Sequence, residues 1–294
     1  MRVALLHNPS AGGEDHDAGA LREVIQGAGH ELVHLVGGVG ALTAALHEEP
    51  CDLVVVAGGD GTVGRAACAL SGWKVPITIL PLGTANNTAH SLDLSMQHEQ
   101  AARSWHRARA VPFDLGLISD GTVRRHFAEA VGWGLFPSAI AKAQERGRGE
   151  SVGHTLESDR EVFRAVARAS SPREYRIELD GKDLSGAYLL VEIMNVPLLG
   201  PRLPLSPSSD PADGLFELVL ASDAHRAGLE ALANGAAVTG PSAPRIERGA
   251  HIRVESSERV LHCDGKLWRH GGGGRAFEID VDVGAVQYLA EGAA

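Results

Sequence analysis

The sequence predicts an α/β N-terminal domain with an open, largely parallel sheet, followed by an antiparallel β-rich sandwich domain. Three observations carry that reading. Residues 1 to about 117 alternate short apolar strands with stretches of helical spacing, the pattern of a parallel sheet crossed by helices. Within them, Leu53-Val54-Val55-Val56-Ala57 is apolar at every position, as in a strand buried on both faces, and it breaks into Gly58-Gly59-Asp60-Gly61-Thr62. After about residue 120 the texture changes to short β-rich segments separated by Gly, Pro and Asp turns. The expected domains are 1–118 and 119–284, with a C-terminal segment, 285–294, free to return to the first domain.

In chain order, residues 3–7 read as a strand, followed by the turn Asn8-Pro9-Ser10-Ala11-Gly12-Gly13. Leu21, Val24, Ile25 and Ala28 then recur at helical spacing, with Asp15 or Asp17 as a cap and Gly27 and Gly29 as the stop. Residues 31–36 form a second strand, 41–48 a short helix, 53–57 the central strand and 75–80 the next, which ends in Pro81-Leu82-Gly83-Thr84-Ala85-Asn86-Asn87. Helical stretches follow near 88–92 and 97–107, then a strand over 111–117. Farther on, β segments are expected near 122–131, 173–180, 185–196, 215–221, 250–255, 258–264 and 275–283. Helices are expected over 137–146 and over 223–234, the second capped by Ser222 and stopped by Gly235. The polar, Gly-rich stretch 146–153 and the tip 271–274 read as loops.

Composition narrows the function. The chain has 294 residues, 44% of them hydrophobic and 22% charged, which describes a globular protein of about two domains. A formal net charge of −10 argues against a general nucleic-acid binder. Cys51, Cys68 and Cys263 lack zinc-type spacing, and reduced thiols in a cytoplasmic protein are expected. No apolar run reaches the roughly 20 residues that span a bilayer, so any contact with lipid is made from the membrane surface. Met1-Arg2 leads directly into the first strand, and no signal peptide is read there.

The chemistry is concentrated in the loops. The three Gly/Asn-rich loops at 8–13, 58–62 and 83–87 all follow strands, and ligands of open parallel sheets bind at the carboxyl ends of strands. Glycines let the main chain approach a ligand, and a helix start offers N–H groups that suit a phosphate. The candidates are Asn8, Pro9, Ser10, Gly12, Gly13, Gly58, Gly59, Gly61, Thr62, Gly83, Thr84 and Asn86, with Asp60 placed to reach a phosphate-bound Mg²⁺. Asp210, Asp213 and the carbonyl of Leu215 form a second constellation beside Gly214, able to wrap a hard cation or to make an Asx-rich turn.

These motifs resemble, in order and over nearly the whole chain, those of the diacylglycerol kinase catalytic-domain family of lipid kinases. Asn8-Pro9-Ser10-Ala11-Gly12-Gly13 is similar to its first nucleotide loop, Gly58 to Thr62 to its most specific motif, and Pro81 to Asn86 to its third loop. Phe113-Asp114-Leu115-Gly116, Asn195-Val196-Pro197, Leu203 to Pro207, Asp210 to Leu215 and His262-Cys263-Asp264-Gly265 follow the family's later pattern. The resemblance implies an N-terminal domain like those of NAD kinases and phosphofructokinases. It also implies ATP and Mg²⁺ as cofactors and a lipid alcohol of the diacylglycerol or sphingoid type as acceptor. It makes Asp264 the catalytic base, assigns Asp60 and Asp114 to the catalytic Mg²⁺ through its waters, and gives Asp210, Asp213 and Leu215 a structural Mg²⁺. Asp264 and Asp60 are thus the catalytic pair.

Two departures stand out. Gly64 and Arg65 replace an Asn-Glu pair, and Asn87 stands where the family often has Asp. They keep open a nucleotide-binding regulatory protein without transfer activity, and the shared Gly-Gly-Asp-Gly keeps open an NAD-kinase-like enzyme with a soluble substrate. Lipid is expected to be reached at the membrane surface, with Leu135, Phe136, Pro137 and Ile140 beside Lys142, Arg146 and Arg148 either as an interfacial face or as an ordinary half-buried helix. Phe127 and Trp133 are candidates for an acyl pocket or for the core, and a homodimer stays open.

Overall fold

The computed structural model describes residues 1–11, 17–94, 97–149, 155–236, 238–271 and 274–290, with the backbone alone for 147–149. The chain divides into two compact units, Met1–Phe113 with Gly284–Ala294, and Asp114–Val283.

In the first unit, Arg2–His7, Glu31–Val36, Leu53–Gly58 and Ile77–Pro81 pair in parallel, and Tyr288 of the long strand Arg275–Ala290 adds to the edge opposite Ile77. Parallel pairing requires crossovers, and helices Ala18–Gly27, Val39–Glu48 and Asp60–Ala69 supply them. Leu53–Gly58 is buried at every residue, as its unbroken apolar run dictates. Val3, Leu5, Leu53, Val55 and Ala57 share one core with Leu21, Ile25, Ala102 and Trp105. Asp17 is the cap of the first helix, accepting from the Gly19 N–H at 2.8 Å, while the alternative Asp15 lies outside the described residues. Of the two later helices, Asn87–Ser91 lies one residue before its expected place and His98–Ser104 is shorter than expected.

The second unit is an antiparallel sandwich with a helical layer. One sheet runs Arg245–Gly249, Phe216–Ala221, Leu190–Met194, Ala130–Gly134, Val260–Cys263 and Lys266–Arg269. The other is formed by Gly186–Tyr188, Arg173–Leu179, His251–Ser256 and the 275–283 part of the last strand. Alternation along each strand fills the space between the sheets and the far face separately. Val191, Ile193, Phe216, Leu218, Leu220 and Trp133 point between the sheets, toward Ile252, Val254 and Phe277. Leu190, Met194, Val219 and Ala221 point the other way, into a core shared with Leu135, Phe136, Phe163, Val166 and Leu229.

That second core corrects the sequence reading, which has no helix at 155–170. The structure has helix Leu156–Ala169 there, opened by a capping box in which the Thr155 hydroxyl accepts from the Ser158 N–H at 3.1 Å. Its buried Val162, Phe163, Val166 and Ala167 fall at helical spacing. The preceding helix also runs farther than expected, Leu135–Gly149, so backbone helicity persists past Arg146 where a loop was read. The rest of that loop, 150–153, lies outside the described residues, as do residues 272 and 273 of the later tip. The helix read over 223–234 is two elements, a 3₁₀ turn Asp223–His225 and an α-helix Arg226–Ala233.

Candidate functional site

In the first unit the three loops meet. The Asn8 N–H donates to the Ala57 carbonyl (2.9 Å) and its side-chain amide to Thr62 Oγ1 (3.1 Å), while Ser10 Oγ donates back to Asn8 Oδ1 (3.1 Å). The Leu82 N–H donates to the Gly58 carbonyl at 3.1 Å. Asn86, in the left-handed region at φ 52°, folds its amide over the loop, accepting from the Gly83 N–H (2.9 Å) and donating to the Gly83 carbonyl (2.8 Å). Asp60 opens the helix Asp60–Ala69, and its Oδ1 accepts from the Thr88 N–H at 3.3 Å. That bond ties the second loop to the third and supports the start of helix Asn87–Ser91, where Asn86 makes no side-chain cap. Pro9 and Thr84 are exposed beside these contacts, and Gly12 and Gly13 lie outside the described residues.

The glycines divide by role. A Cβ on Gly83 would stand 2.5 Å from the Gly59 Cα, and one on Gly58 would stand 2.8 Å from the Thr62 Cβ, so backbone approach and helix packing require both. A Cβ on Gly61 would meet nothing nearer than Arg65 Nη1 at 3.8 Å. Gly61 is exposed at the helix start, where first-turn N–H groups point outward and the helix dipole favours an anion. Arg65, one turn on, reaches within 3.4 Å of the Thr62 hydroxyl and sets a positive charge over the same spot. A glycine-lined helix start with a guanidinium above it suits the phosphates of ATP, and the half-buried Asp60 carboxylate is the hard oxygen donor that Mg²⁺ takes.

The second unit holds its aspartates differently. Asp114 is fully buried; its N–H donates to the Pro211 carbonyl (2.6 Å) and its Oδ2 accepts from the Gly214 N–H (2.8 Å). The Asn195 amide bonds both the Asp114 and the Ala128 carbonyls at 2.8 Å. Asp114 therefore braces the 210–215 turn. In that turn Asp210 Oδ1 accepts from the Ala212 N–H and Asp213 Oδ1 from the Leu215 N–H, both at 3.0 Å. Arg248 bonds the other Asp213 oxygen and the buried Glu217. Among the described residues no three His, Cys, Asp or Glu side chains gather to hold a metal. With Arg248 in place, a cation at Asp213 would meet an existing positive charge, and the donor set as closed here does not fit one.

Asp264 sits at φ 47° in the turn between Val260–Cys263 and Lys266–Arg269. Its Oδ1 accepts from the Glu129 and Ala130 N–H groups (2.8 and 3.2 Å) and its Oδ2 from Ala128 (2.9 Å). Burial raises its pKa, and the three N–H donors oppose that rise. A carboxylate offers about four acceptor positions, so three bonds leave one on Oδ2 for an incoming proton.

Two residues before it lies a feature that the sequence reading passes over. Glu192 and His262 both pair with Gly132 across neighbouring strands, one on each side. Because Gly132 has no side chain, His262 Nε2 and Glu192 Oε2 meet over it at 2.8 Å with both side chains fully buried. A Cβ on Gly132 would stand 2.1 Å from Glu192 Oε2. The Gly265 N–H donates to His262 Nδ1 (3.4 Å), joining the pair to the turn that carries Asp264. Burial raises the Glu192 pKa, with His262 opposing, and Glu192 Oε1 has no hydrogen-bond partner among the described residues. A buried Glu and His are each unremarkable in sequence; only the strand register pairs them.

Phe127 and Trp133 are wholly buried in the inter-sheet core, Phe127 stacked on Phe216 and Trp133 tilted against Phe277. An apolar cavity of about 200 Å³ lies instead between helices Leu135–Gly149 and Leu156–Ala169, with Phe136, Ile140, Ala143, Val162 and Phe163 on its walls. Lys142 and Arg146 are exposed on the first of these helices, and the Arg148 side chain lies outside the described set. Among the described residues no helix is long and apolar enough to cross a membrane.

Residues 2–118 match the family model of the diacylglycerol kinase catalytic domain, and residues 155–272 that of the YegS C-terminal NAD kinase beta sandwich-like domain. The chain is 28% identical over 240 residues to a diacylglycerol kinase of Mycobacterium tuberculosis (strain ATCC 25618 / H37Rv), covering 79% of this chain and 70% of that protein. It is 25% identical over 237 residues to a diacylglycerol kinase of Bacillus subtilis (strain 168), covering 77% and 75%. In fold it is similar to a crystal structure of a diacylglycerol kinase from Bacillus anthracis str. Sterne, with a TM-score of 0.73 at 19% identity over 98% of this chain and 96% of the other.

Proposed function

The chain belongs to the diacylglycerol kinase catalytic-domain family, and from that premise we propose that it is an ATP- and Mg²⁺-dependent lipid kinase that phosphorylates the hydroxyl of a diacylglycerol-like or sphingoid lipid. The observation that carries the nucleotide half is the junction of the three loops: Asn8 bonded to Thr62, Gly59 against Gly83, and Asp60 bonded to the Thr88 N–H. Phosphoryl transfer depends on holding phosphates in place and stabilising their charge. The first-turn N–H groups at Asp60–Thr62 and the Arg65 guanidinium supply donors and charge for that task. Asp60 would hold the Mg²⁺, which would supply positive charge against that developing on the phosphates.

Asp264 serves as the base. Three N–H bonds fix its carboxylate, and the remaining acceptor position on Oδ2 takes the proton of the lipid hydroxyl. Asp114 acts through the 210–215 turn it braces. The apolar cavity between the two helices of the second unit supports an acceptor with a hydrocarbon tail. The protein works at the cytoplasmic membrane surface without crossing it.

An assay with radiolabelled ATP over a panel of diacylglycerols, sphingoid bases and NAD, with and without Mg²⁺, tests this reading. Label is expected in a lipid product only with Mg²⁺ present. Label in NAD, or ATP binding with no transfer to any acceptor, overturns it.

A further inference from the structure

A second cavity in the same unit, about 410 Å³, has the opposite character. Its walls include Ser138, Arg173, Ser257, Glu258, Arg259 and Arg269. The one carboxylate among these is already engaged: Glu258 Oε1 accepts from Arg173 Nε (2.8 Å), and Oε2 accepts from the Tyr175 hydroxyl (2.6 Å). The guanidinium groups of Arg259 and Arg269 have no ion pair and no hydrogen bond among the described residues. In a chain of formal net charge −10, two unpaired guanidiniums beside a third are a local surplus of positive charge.

We propose that this cavity binds the phosphate of a phosphomonoester. A planar guanidinium fork matches the spacing of phosphate oxygens and donates two parallel hydrogen bonds. The Ser257 hydroxyl adds a neutral donor, whereas the Ser138 hydroxyl already donates to the Gly134 carbonyl at 2.9 Å, and the volume falls in the range of small-molecule sites, roughly 300–1,000 Å³. Helix Leu135–Gly149 ties the cavity to an amphiphilic ligand. Pro137, Ser138 and Ala141 face the arginines, whereas Phe136, Ala139, Ile140 and Ala143 face the apolar cavity on its other side. Phosphate recognition and hydrocarbon recognition thus flank one helix. The phosphate has two sources, a soluble phosphomonoester or the headgroup of an anionic lipid such as the kinase reaction itself would release. The binding does not require transfer activity, so its failure and the failure of the proposed function are separate results.

The test uses the full chain. Calorimetry measures binding of inorganic phosphate and glycerol 3-phosphate, and sedimentation measures binding to phosphatidylcholine vesicles with and without phosphatidic acid. Each is run on wild type, on Arg259→Gln/Arg269→Gln, and on Arg22→Gln/Arg103→Gln, which removes the same charge from exposed sites in the first unit. Because the Arg259 and Arg269 guanidiniums bond nothing among the described residues, their variant should melt as wild type does. The expected result is at least a tenfold loss of affinity in that variant and little loss in the control. Loss confined to soluble ligands assigns the site to a soluble phosphomonoester, and loss confined to vesicles with phosphatidic acid assigns it to a lipid headgroup. Equal weakening of both variants would reduce the effect to net charge, and no binding by wild type would remove the site; either overturns the proposal.

Discussion

The two units meet polar ligands with different materials. In the first, the candidate site is mostly main chain: Gly58, Gly59 and Gly83 exist so that loops can touch, and Gly61 leaves a helix start open. In the second, the central candidates are side chains whose partners come from far along the chain, as with Asp264 and residues 128–130, or Glu192 and His262. Even the two candidate catalytic carboxylates differ. Asp60 accepts from Thr88 in a loop contact at 3.3 Å, whereas Asp264 is gripped by three N–H groups in a left-handed turn. A backbone site is set by local glycine chemistry and tolerates polar exchange; a side-chain site is set by strand register and does not.

The sharpest way to break that contrast is to exchange the two carboxylates for amides. Asp264→Asn is expected to cut turnover about 100-fold or more, the usual range for losing a general base. It also turns an amide donor toward backbone donors, and a polar group left unsatisfied there costs about 1–3 kcal/mol. ATP affinity should hold within a few-fold, because the glycine loops belong to the other unit. Asp60→Asn keeps an oxygen for the Thr88 N–H, so it should melt as wild type does while needing more Mg²⁺ for the same rate. If turnover survives in Asp264→Asn, or if Asp60→Asn is the variant that unfolds, the assignment of rigid base and adaptable metal ligand is wrong.

Within the first unit the glycines offer a smaller, cleaner separation. Gly61→Val has room for its side chain and should fold, yet lose ATP affinity at least tenfold by covering the helix start. Gly83→Val forces the third loop off Gly59 and should lower the melting temperature, since overpacking typically costs about 1–3 kcal/mol. Calorimetry on the folded Gly61→Val protein decides the matter: wild-type ATP affinity there would move the phosphate site away from this loop.

The same contrast explains what was legible in the sequence. The run 53–62 declared itself because a doubly buried strand and a glycine break are local facts, and the loops it predicts do join. The antiparallel character of the second unit was legible from its turns, but its helical layer was not. Thr155, Val162, Phe163 and Val166 carried a helix signal that the surrounding β texture and the Gly-rich stretch before it obscured. Asp114 was readable as an important carboxylate, yet only the fold shows it turned toward Gly214. Arg248, which closes the Asp213 turn, lies 35 residues from it, and no spacing rule connects them. Gly132 is the extreme case, since its role is to be absent between two side chains that meet from other strands.

That absence leads to the smallest expected effect. Burying an ion pair gains little over an apolar pair and often costs stability. Glu192 and His262 lie beside the Asp264 turn, where the Gly265 N–H reaches His262 Nδ1, and a positioning role for that turn is the expectation to test. Glu192 has a folded-state pKa raised above its ordinary value of 4.5 by burial. The folded state therefore holds this proton more tightly than the unfolded chain does. The resulting stability is fully present below pH 4.5 and is lost as pH rises through the folded pKa. Glu192→Gln keeps an acceptor for His262 Nε2 and deletes the titration. Its melting temperature should thus fall less than that of wild type as pH rises from about 4.5, its unfolded value, toward neutrality. Turnover on a lipid substrate should lose part of its pH dependence over the same interval, while the KM for ATP stays unchanged. A wild-type pH profile for both melting and turnover in Glu192→Gln would reduce the pair to core packing with no influence on Asp264.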